Sequence, residues 1–300
     1  MFSKANFFKR VKKILKFLPD KQYIKLYFEL HLHRKLDLNN PKTLNEKLQW
    51  MKFNYRFPLQ TVVSDKILVR KYVEEKIGST YLIPCYGVWD NVDDIGFNNL
   101  PDKFVLKCNH DSGGIVICRD KEKLNINRAK RKLRRSLKIN FYYIGREYQY
   151  KNIKPRILCE QYISDGNYVP IDYKIYCFNG VPDSILVCTD RFSGDANKAS
   201  YNFFDEDWNF LPYNNGDSID DSPNIKKPEN LKEMLDIARK LSEDFIFARI
   251  DLYDINGSIY FGEITLSPNS GFDPDISYDT DLRFGKKLQI PHIDKNGDYC

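Results

Sequence analysis

Hydrophobic and polar positions change period several times along the chain, and those changes predict its elements. Residues 5–18 set Phe7, Val11, Ile14, Leu15 and Leu18 at helical spacing, with Lys9, Lys12, Lys13 and Lys16 opposite. That pattern predicts a basic amphipathic helix, able to lie on an anionic membrane face or to pack with its basic side in water. A second helical stretch covers 20–36. Thr43, three residues before Glu46, predicts a capping box opening a helix that reaches about residue 53. Another helix is expected over 64–76, stopped by Gly78. Strands are expected at 82–89, 104–108, 115–118, 157–162, 171–179 and 184–190, with a basic helix at 127–138 between the third and fourth. An irregular acidic stretch at 192–228, a helix at 229–243 and a final hairpin complete the chain. Helices first, then strands with interspersed helices, predict an α+β fold with antiparallel sheets.

The hairpin adds chemistry to this outline. Arg249-Ile-Asp251-Leu-Tyr253 and Tyr260-Phe-Gly-Glu263-Ile-Thr265 are joined across Asn256-Gly257, and apolar residues flank every acid. An unpaired buried carboxylate is costly, so a metal ion or a cationic partner is expected beside Asp251 and Glu263. A surface hairpin with its polar residues outward is the competing reading. A two-residue Asn-Gly loop pairs 255 with 258 and sends the two carboxylates to opposite faces. A three-residue loop pairs 254 with 258, sets Arg249 opposite Glu263 and leaves Asp251 diagonal on the same face. If the carboxylates act together, the expectation is the three-residue loop.

Composition narrows the class. The 300 residues are 42% hydrophobic and 29% charged, without an apolar run that could span a bilayer and without a signal-like start. The seven cysteines are odd in number and show no CxxC. Cys108, Cys118, Cys159, Cys177 and Cys188 fall in apolar strand-like runs, where reduced buried thiols and a cytoplasmic protein are expected. His31 and His33 read as packing or surface groups. Charge is divided: residues 1–35 and 119–138 each hold ten Lys/Arg against two acids, whereas 183–281 hold 21 acids against eight Lys/Arg. That asymmetry suits a cleft holding an anionic ligand with its metals. The basic stretch at 119–138 carries no nucleic-acid-binding signature, so no nucleic acid partner is expected.

Lys107 lies in a strand-like run just before Asn-His-Asp-Ser112-Gly113-Gly114. A strand lysine calls for a buried anion, and a small loop ending in glycines offers backbone N–H groups to phosphate. A hairpin turn with a snorkelling lysine is the alternative. Neither a Walker A loop nor a GxGxxG is present. Glu160 ends one strand, and Asp172 and Lys174 share a face of the next. A strand-end Glu can read an adenine amino group, and an Asp can take ribose hydroxyls.

The series Lys107…Gly-Gly, Glu160-Gln-Tyr-Ile163, Asp172-Tyr-Lys174, Arg249-x-Asp251 and Glu263 resembles the ordered ATP signature of ATP-grasp enzymes. More closely, the chain resembles the TupA-like ATP-grasp family, associated with teichuronopeptide and other envelope-polysaccharide synthesis. The phrases carrying the resemblance are Pro41-Lys-Thr-Leu-Asn-Glu-Lys-Leu-Gln-Trp50, Ser64-Asp-Lys66 with Val69-Arg70, Leu100-Pro-Asp-Lys-Phe-Val-Leu-Lys107 and Asn109-His-Asp-Ser-Gly113. Asp172-Tyr-Lys-Ile-Tyr-Cys-Phe-Asn-Gly180 and Phe261-Gly-Glu-Ile-Thr265 complete it, over about residues 41–290.

The resemblance implies an ATP-grasp fold whose antiparallel sheets sandwich ATP. A helical N-terminal region (1–58) and a pre-ATP-grasp segment (59–102) precede a domain at 103–290. That domain comprises a lid of about 103–160 and a large part of about 161–290, and 291–300 form a tail. It further implies that Lys107 and Lys174 hold ATP phosphates under the loop with Ser112, Gly113 and Gly114. Glu160 would contact the adenine amino group, the backbone of Gln161 and Ile163 the base edge, and Asp172 the ribose. Asp251 and Glu263 would bind Mg²⁺. Arg249, with Lys174, would serve the transferring phosphate. Thr265, the third expected metal ligand, stands where such enzymes usually have Asn, and Asn269 or water could substitute for it at a second metal. Asp273, Asp275 and Arg191 could meet the substrates or be solvated loop charges. The implied activity is ATP-dependent ligation of a carboxylate and an amine through an acyl phosphate. It would attach an amino acid or amine to a uronic acid of a capsular or other envelope polysaccharide or its precursor, in the cytoplasm, where residues 5–18 could contact the inner membrane face. A glycosyltransferase and an ATP-grasp sugar kinase are the alternatives.

Overall fold

The computed structural model describes residues 17–164, 166, 170–189 and 199–291. Nearly all of the expected basic helix at 5–18, and Arg191, therefore lie outside the described residues. Helix α1 (Asp20–Leu32) is followed by α2 (Leu44–Asn54), α3 (Pro58–Ser64) and α4 (Val69–Ile77). The capping box at α2 forms as expected, with Thr43 Oγ accepting from Glu46 N and the Glu46 carboxylate accepting from Thr43 N.

Two antiparallel sheets follow. The smaller contains β1 (Cys85–Trp89), β2 (Phe104–Cys108), β3 (Ile115–Cys118) and β4 (Ile157–Gln161), in the order β1-β4-β2-β3. Its edge strand β1 comes from upstream of residue 103. Helix α5 (Ile126–Leu137) buries Ala129 and Leu133 against Phe104, Leu106, Cys108 and Cys159 on one face. Lys107 and Glu160 stand on the other face by strand alternation. A short α6 (Tyr142–Gly145) leads into β4.

The larger sheet runs β10-β9-β5-β6-β7-β8. It is built from β5 (Asp172–Phe178), β6 (Val181–Thr189), β7 (Ser200–Phe204), β8 (Phe210–Leu211), β9 (Phe247–Ile255) and β10 (Ser258–Thr265). One face packs Ile175, Cys177, Ile250 and Leu252 on α7 (Leu231–Ser242) and on α4. The other carries Tyr176, Phe178 and Phe203 under α2 and α8 (Tyr278–Lys287) at one end. The remainder of that face stays polar. Strands β7 and β8 arise within the stretch expected to be irregular, and α3, α6 and α8 were not expected.

The hairpin corrects the expected loop. Ser258 pairs with Ile255, so the turn is the two-residue Asn256-Gly257. Both residues have positive φ, 51° and 79°, as a primed turn requires. A bulge then shifts the register between Phe261, opposite Leu252, and Glu263, opposite Asp251. Thr265, not Glu263, faces Arg249. The extra residue is Gly262, where a Cβ would sit 2.9 Å from Asp251 O. Both halves of the conflict are thereby resolved: the turn is short, and one bulge returns the carboxylates to a common face.

Candidate active site

Across the polar face of the large sheet, the registers align one row of side chains on five strands. Phe203 stands opposite Leu186, Leu186 opposite Lys174, Lys174 opposite Asp251, and Asp251 opposite Glu263. The next row holds Tyr176, Arg249 and Thr265. Arg249 grips Asp251 with two donors, Nε to Oδ1 at 2.7 Å and Nη2 to Oδ2 at 2.8 Å. Its Nη2 also donates to Thr265 Oγ1 at 3.2 Å and lies 3.7 Å from Glu263 Oε1. Lys174 Nζ donates to Asp251 Oδ2 and lies 2.7 Å from Asp172 Oδ2.

This is a buried charge network. Burial alone would lower the Lys174 pKa, but Asp251, followed by Asp172, outweighs it and holds the ammonium above the ordinary lysine value. Burial pushes the Asp251 carboxyl up, with Arg249 and Lys174 opposing. The row faces a cavity of about 440 Å³ lined also by Ser112, Glu147, Tyr150, Asn269, Ser270, Asp273 and Asp275. Asp273 is pushed up by burial, and its Oδ1 accepts from Asp275 N at 3.0 Å.

The smaller sheet contributes a second cluster. Glu160 Oε2 accepts from Lys107 Nζ at 2.7 Å, and its Oε1 accepts from Arg70 Nη1 at 3.1 Å. Gln161 N donates to Pro84 O, fixing the end of β4. These groups face a narrow crevice of about 20 Å³ that also meets Lys66, Phe261, Gly262 and Glu263. Glu263 and Tyr150 line both spaces, so the two clusters adjoin.

The loop at 109–114 is fastened at its base and open at its tip. Asn109 Nδ2 donates to Asp65 Oδ2 at 2.9 Å, while its Oδ1 accepts from Arg156 N at 2.7 Å. His110 Nε2 lies 3.0 Å from Ile139 O, and Asp111 Oδ1 accepts from Gly114 N at 3.0 Å. Nothing stands within 4 Å of a Cβ placed at Gly113, whereas one at Gly114 would meet Cys108 and Ser136. Gly114 is needed for packing, whereas Gly113 stands in open space at the tip.

The donor set fits one class of metal. Among the described residues no group of three His, Cys, Asp or Glu gathers as a metal site. Asp251 and Glu263 offer two carboxylates, the number Mg²⁺ takes when phosphate oxygens and water fill its shell. The pair thus suits a metal that arrives with a polyphosphate. Burial pushes the Cys108, Cys159 and Cys177 thiols up to about 12.

The family model described as TupA-like ATPgrasp matches residues 46–289. The chain belongs to the TupA-like ATP-grasp family. Its two antiparallel sheets, with charged side chains lining adjoining spaces, are the ATP-grasp arrangement of this family member. No curated protein matches. Among solved structures, D-alanine–D-alanine ligase from Bacillus anthracis is 15% identical, with a TM-score of 0.48, over 90% of this chain and 89% of that one. The Helicobacter pylori D-alanine–D-alanine ligase is 15% identical at a TM-score of 0.42, covering 83% of this chain and 70% of that one. D-cycloserine synthetase DcsG is 14% identical at 0.45, over 77% and 71%.

The structure brings the expected Lys174, Arg249, Asp251, Glu263 and Thr265 into one network, and Lys107 and Glu160 into another. Asp172 joins the first through Lys174. Gln161 and Ile163 lie at the end of β4 and just beyond it, and Ser112 is at the loop tip. Four residues at the openings were not anticipated as site groups: Lys66, Arg70, Glu147 and Tyr150. A cation on an amphipathic helix reads as solvated, and the partner of Arg70 is 90 residues away.

Proposed function

We propose that this chain is an ATP-dependent carboxylate–amine ligase. It would join an amino acid or amine to a uronic acid of a cell-envelope polysaccharide or its precursor. The observation carrying this reading is the row Lys174–Asp251–Glu263 with Arg249 beside it, next to a crevice that holds Lys107 of the smaller sheet and Arg70 of α4. The family model supports the ATP-grasp part of the reading.

In this reading Lys107 and Lys174 hold the ATP phosphates, and the N–H groups around Ser112 and Gly113 cover them. Glu160 accepts from the adenine amino group, and the backbone of Gln161 and Ile163 edges the base. Asp172, which here steadies Lys174, serves the ribose hydroxyls. Asp251 and Glu263, with Thr265 beside them, would hold Mg²⁺, which would supply charge neutralisation at the phosphates. Arg249 draws the substrate carboxylate beside the γ-phosphate. A carboxylate oxygen attacks phosphorus, the bond to the ADP oxygen breaks, and an acyl phosphate and ADP result. The amine then attacks the acyl carbon, losing a proton to water or a nearby carboxylate, and inorganic phosphate leaves. Such catalysis rests on positioning and charge neutralisation, consistent with a site rich in cations and carboxylates.

The test is ADP release across a matrix of uronic acids and amines, with amide detected by mass and Asp251→Asn as the inactive control. ADP release that requires both substrates is expected. A phosphorylated sugar without amide would replace the ligase reading with that of a sugar kinase.

A further inference from the structure

Beside the loop tip lies a larger space that the ligase reading leaves without a task. It measures about 720 Å³ and runs between the 111–113 loop, helix α5 and the segment 139–144. One wall carries Arg128, Arg131, Lys132 and Arg135, spaced i, i+3, i+4 and i+7 on a single face of α5. Ile139, Phe141 and Ile144 supply an apolar floor. Lys132 Nζ donates to Ile115 O. Among the described residues, Arg128, Arg131 and Arg135 meet no acidic side chain, whereas Lys130 and Arg134 on the flank of α5 both reach Asp93. The acid on the wall, Asp111, is engaged by Ser136 Oγ and Gly114 N.

This face is separate from the nucleotide crevice, because α5 packs on the opposite side of the small sheet from Lys107 and Glu160. The groove nevertheless opens toward the chemistry. Ser112 and Phe141 line both it and the 440 Å³ cavity holding Arg249. Four cations along about 10 Å of helix exceed what one carboxylate needs, and their continuity with the cavity points to a chain with repeated charges.

We infer that this groove is a subsite for a polyanionic acceptor chain, an acidic oligosaccharide carrying several carboxylates. One carboxylate reaches Arg249 while its neighbours along the chain meet Arg128, Arg131 and Arg135, and the sugar rings lie on Phe141 and Ile139. The inference rests on the ligase reading for the reacting end and adds the length and charge of the substrate.

The experiment titrates the full chain, without ATP, with a fluorescent octamer of galacturonic acid and with the monomer. The octamer is expected to bind tighter than the monomer. Arg131→Ala/Arg135→Ala is expected to weaken the octamer about tenfold, as two exposed ion pairs allow. Arg134→Ala, on the flank, should change it less than twofold. Both variants alter exposed side chains, and an unchanged melting temperature checks their fold. Equal affinity for octamer and monomer, or no effect of the double variant, overturns the inference. So does displacement of the octamer by lower concentrations of single-stranded RNA or of phosphatidylglycerol vesicles, which would make this a nucleic-acid or membrane face. ADP release with amine is measured separately. Length-dependent binding without amide keeps the groove and rejects the ligase reading. Amide formation on the monomer with no dependence on length does the reverse.

Discussion

Asp251 is gripped by two donors of Arg249 and by Lys174. Asp251→Asn keeps the shape and removes the charge, leaving two buried cations under-compensated. It is expected to lower kcat by about 10²–10³, in line with the loss of one preorganised electrostatic group, as read from ADP release at saturating ATP. A second buried charge, Lys52, supports the site from behind. Its Nζ donates to Gln49 Oε1 at 2.8 Å, Gly145 O at 2.6 Å and Ser270 O at 2.7 Å. It thereby clamps a segment in which Asn269, Ser270 and Gly271 all have positive φ. Burial lowers the Lys52 pKa to about 7, with Glu147 opposing. Between pH 7 and 9 the folded state therefore binds fewer protons at this site than the unfolded chain, so the Lys52 contribution to stability rises with pH. Urea unfolding at pH 7, 8 and 9 should give the wild type a slope up to about 1.4 kcal/mol per pH unit steeper than Lys52→Met. Equal slopes would show that Lys52 does not titrate there. The residue types at the first site are readable in the sequence because a strand acid among aliphatic residues demands a partner. Lys52 is not, since two of its three acceptors are backbone carbonyls of distant segments.

At the scale of elements, the hairpin shows how far pattern reading reaches. Asn256-Gly257 marks a short primed turn, and the need to put two carboxylates on one face marks a register shift. Those two requirements conflict only if β10 is regular. Gly262 settles the conflict by a bulge, and a lone glycine in a strand is the available sign of one. The strands β7 and β8 were hidden differently: Ser200–Phe204 is five residues and Phe210–Leu211 two, too short for a period within an acidic stretch. Two glycines of the hairpin can be separated by experiment. A Cβ at Gly262 would lie 2.9 Å from Asp251 O and 3.1 Å from Tyr253 Cε2, so Gly262→Ala must push β9 and β10 apart. A stability loss of about 1–3 kcal/mol is expected, with a loss of activity exceeding that of any unfolding because Glu263 moves with the bulge. At Gly257 a Cβ meets nothing within 4 Å but φ is +79°, so Gly257→Ala should cost about 1–2 kcal/mol in backbone strain and spare kcat. Denaturation midpoints and kcat for the two variants test the contrast, and equal losses of kcat would remove the special role of the bulge.

At the scale of the whole molecule, the segment entering α4 ties the smaller sheet to the large one. Val69, Tyr72 and Val73 of α4 sit in the core of the large sheet. Lys66 N donates to Asn109 O at 3.1 Å and Lys66 Nζ to Asp111 O at 2.6 Å, while Arg70 reaches Glu160 on β4. The α+β architecture was legible from element order, but this tie was not, because it links helix cations to a loop and a strand far along the chain. Glu160 is the point where the tie meets the proposed base pocket. Its carboxylate accepts and cannot donate, so it suits the amino group of adenine and opposes the carbonyl oxygen of guanine at the corresponding place. Glu160→Gln supplies an amide that can accept from one base and donate to the other, at the expense of the charge that holds Lys107 and Arg70. The ratio of kcat/KM for ATP over GTP is therefore expected to fall about tenfold, the worth of one such hydrogen bond, with kcat/KM for ATP falling as Lys107 and Arg70 lose their partner. An unchanged ratio would move the base away from Glu160 and leave that carboxylate as the tie between the smaller sheet and α4, with its effect confined to stability.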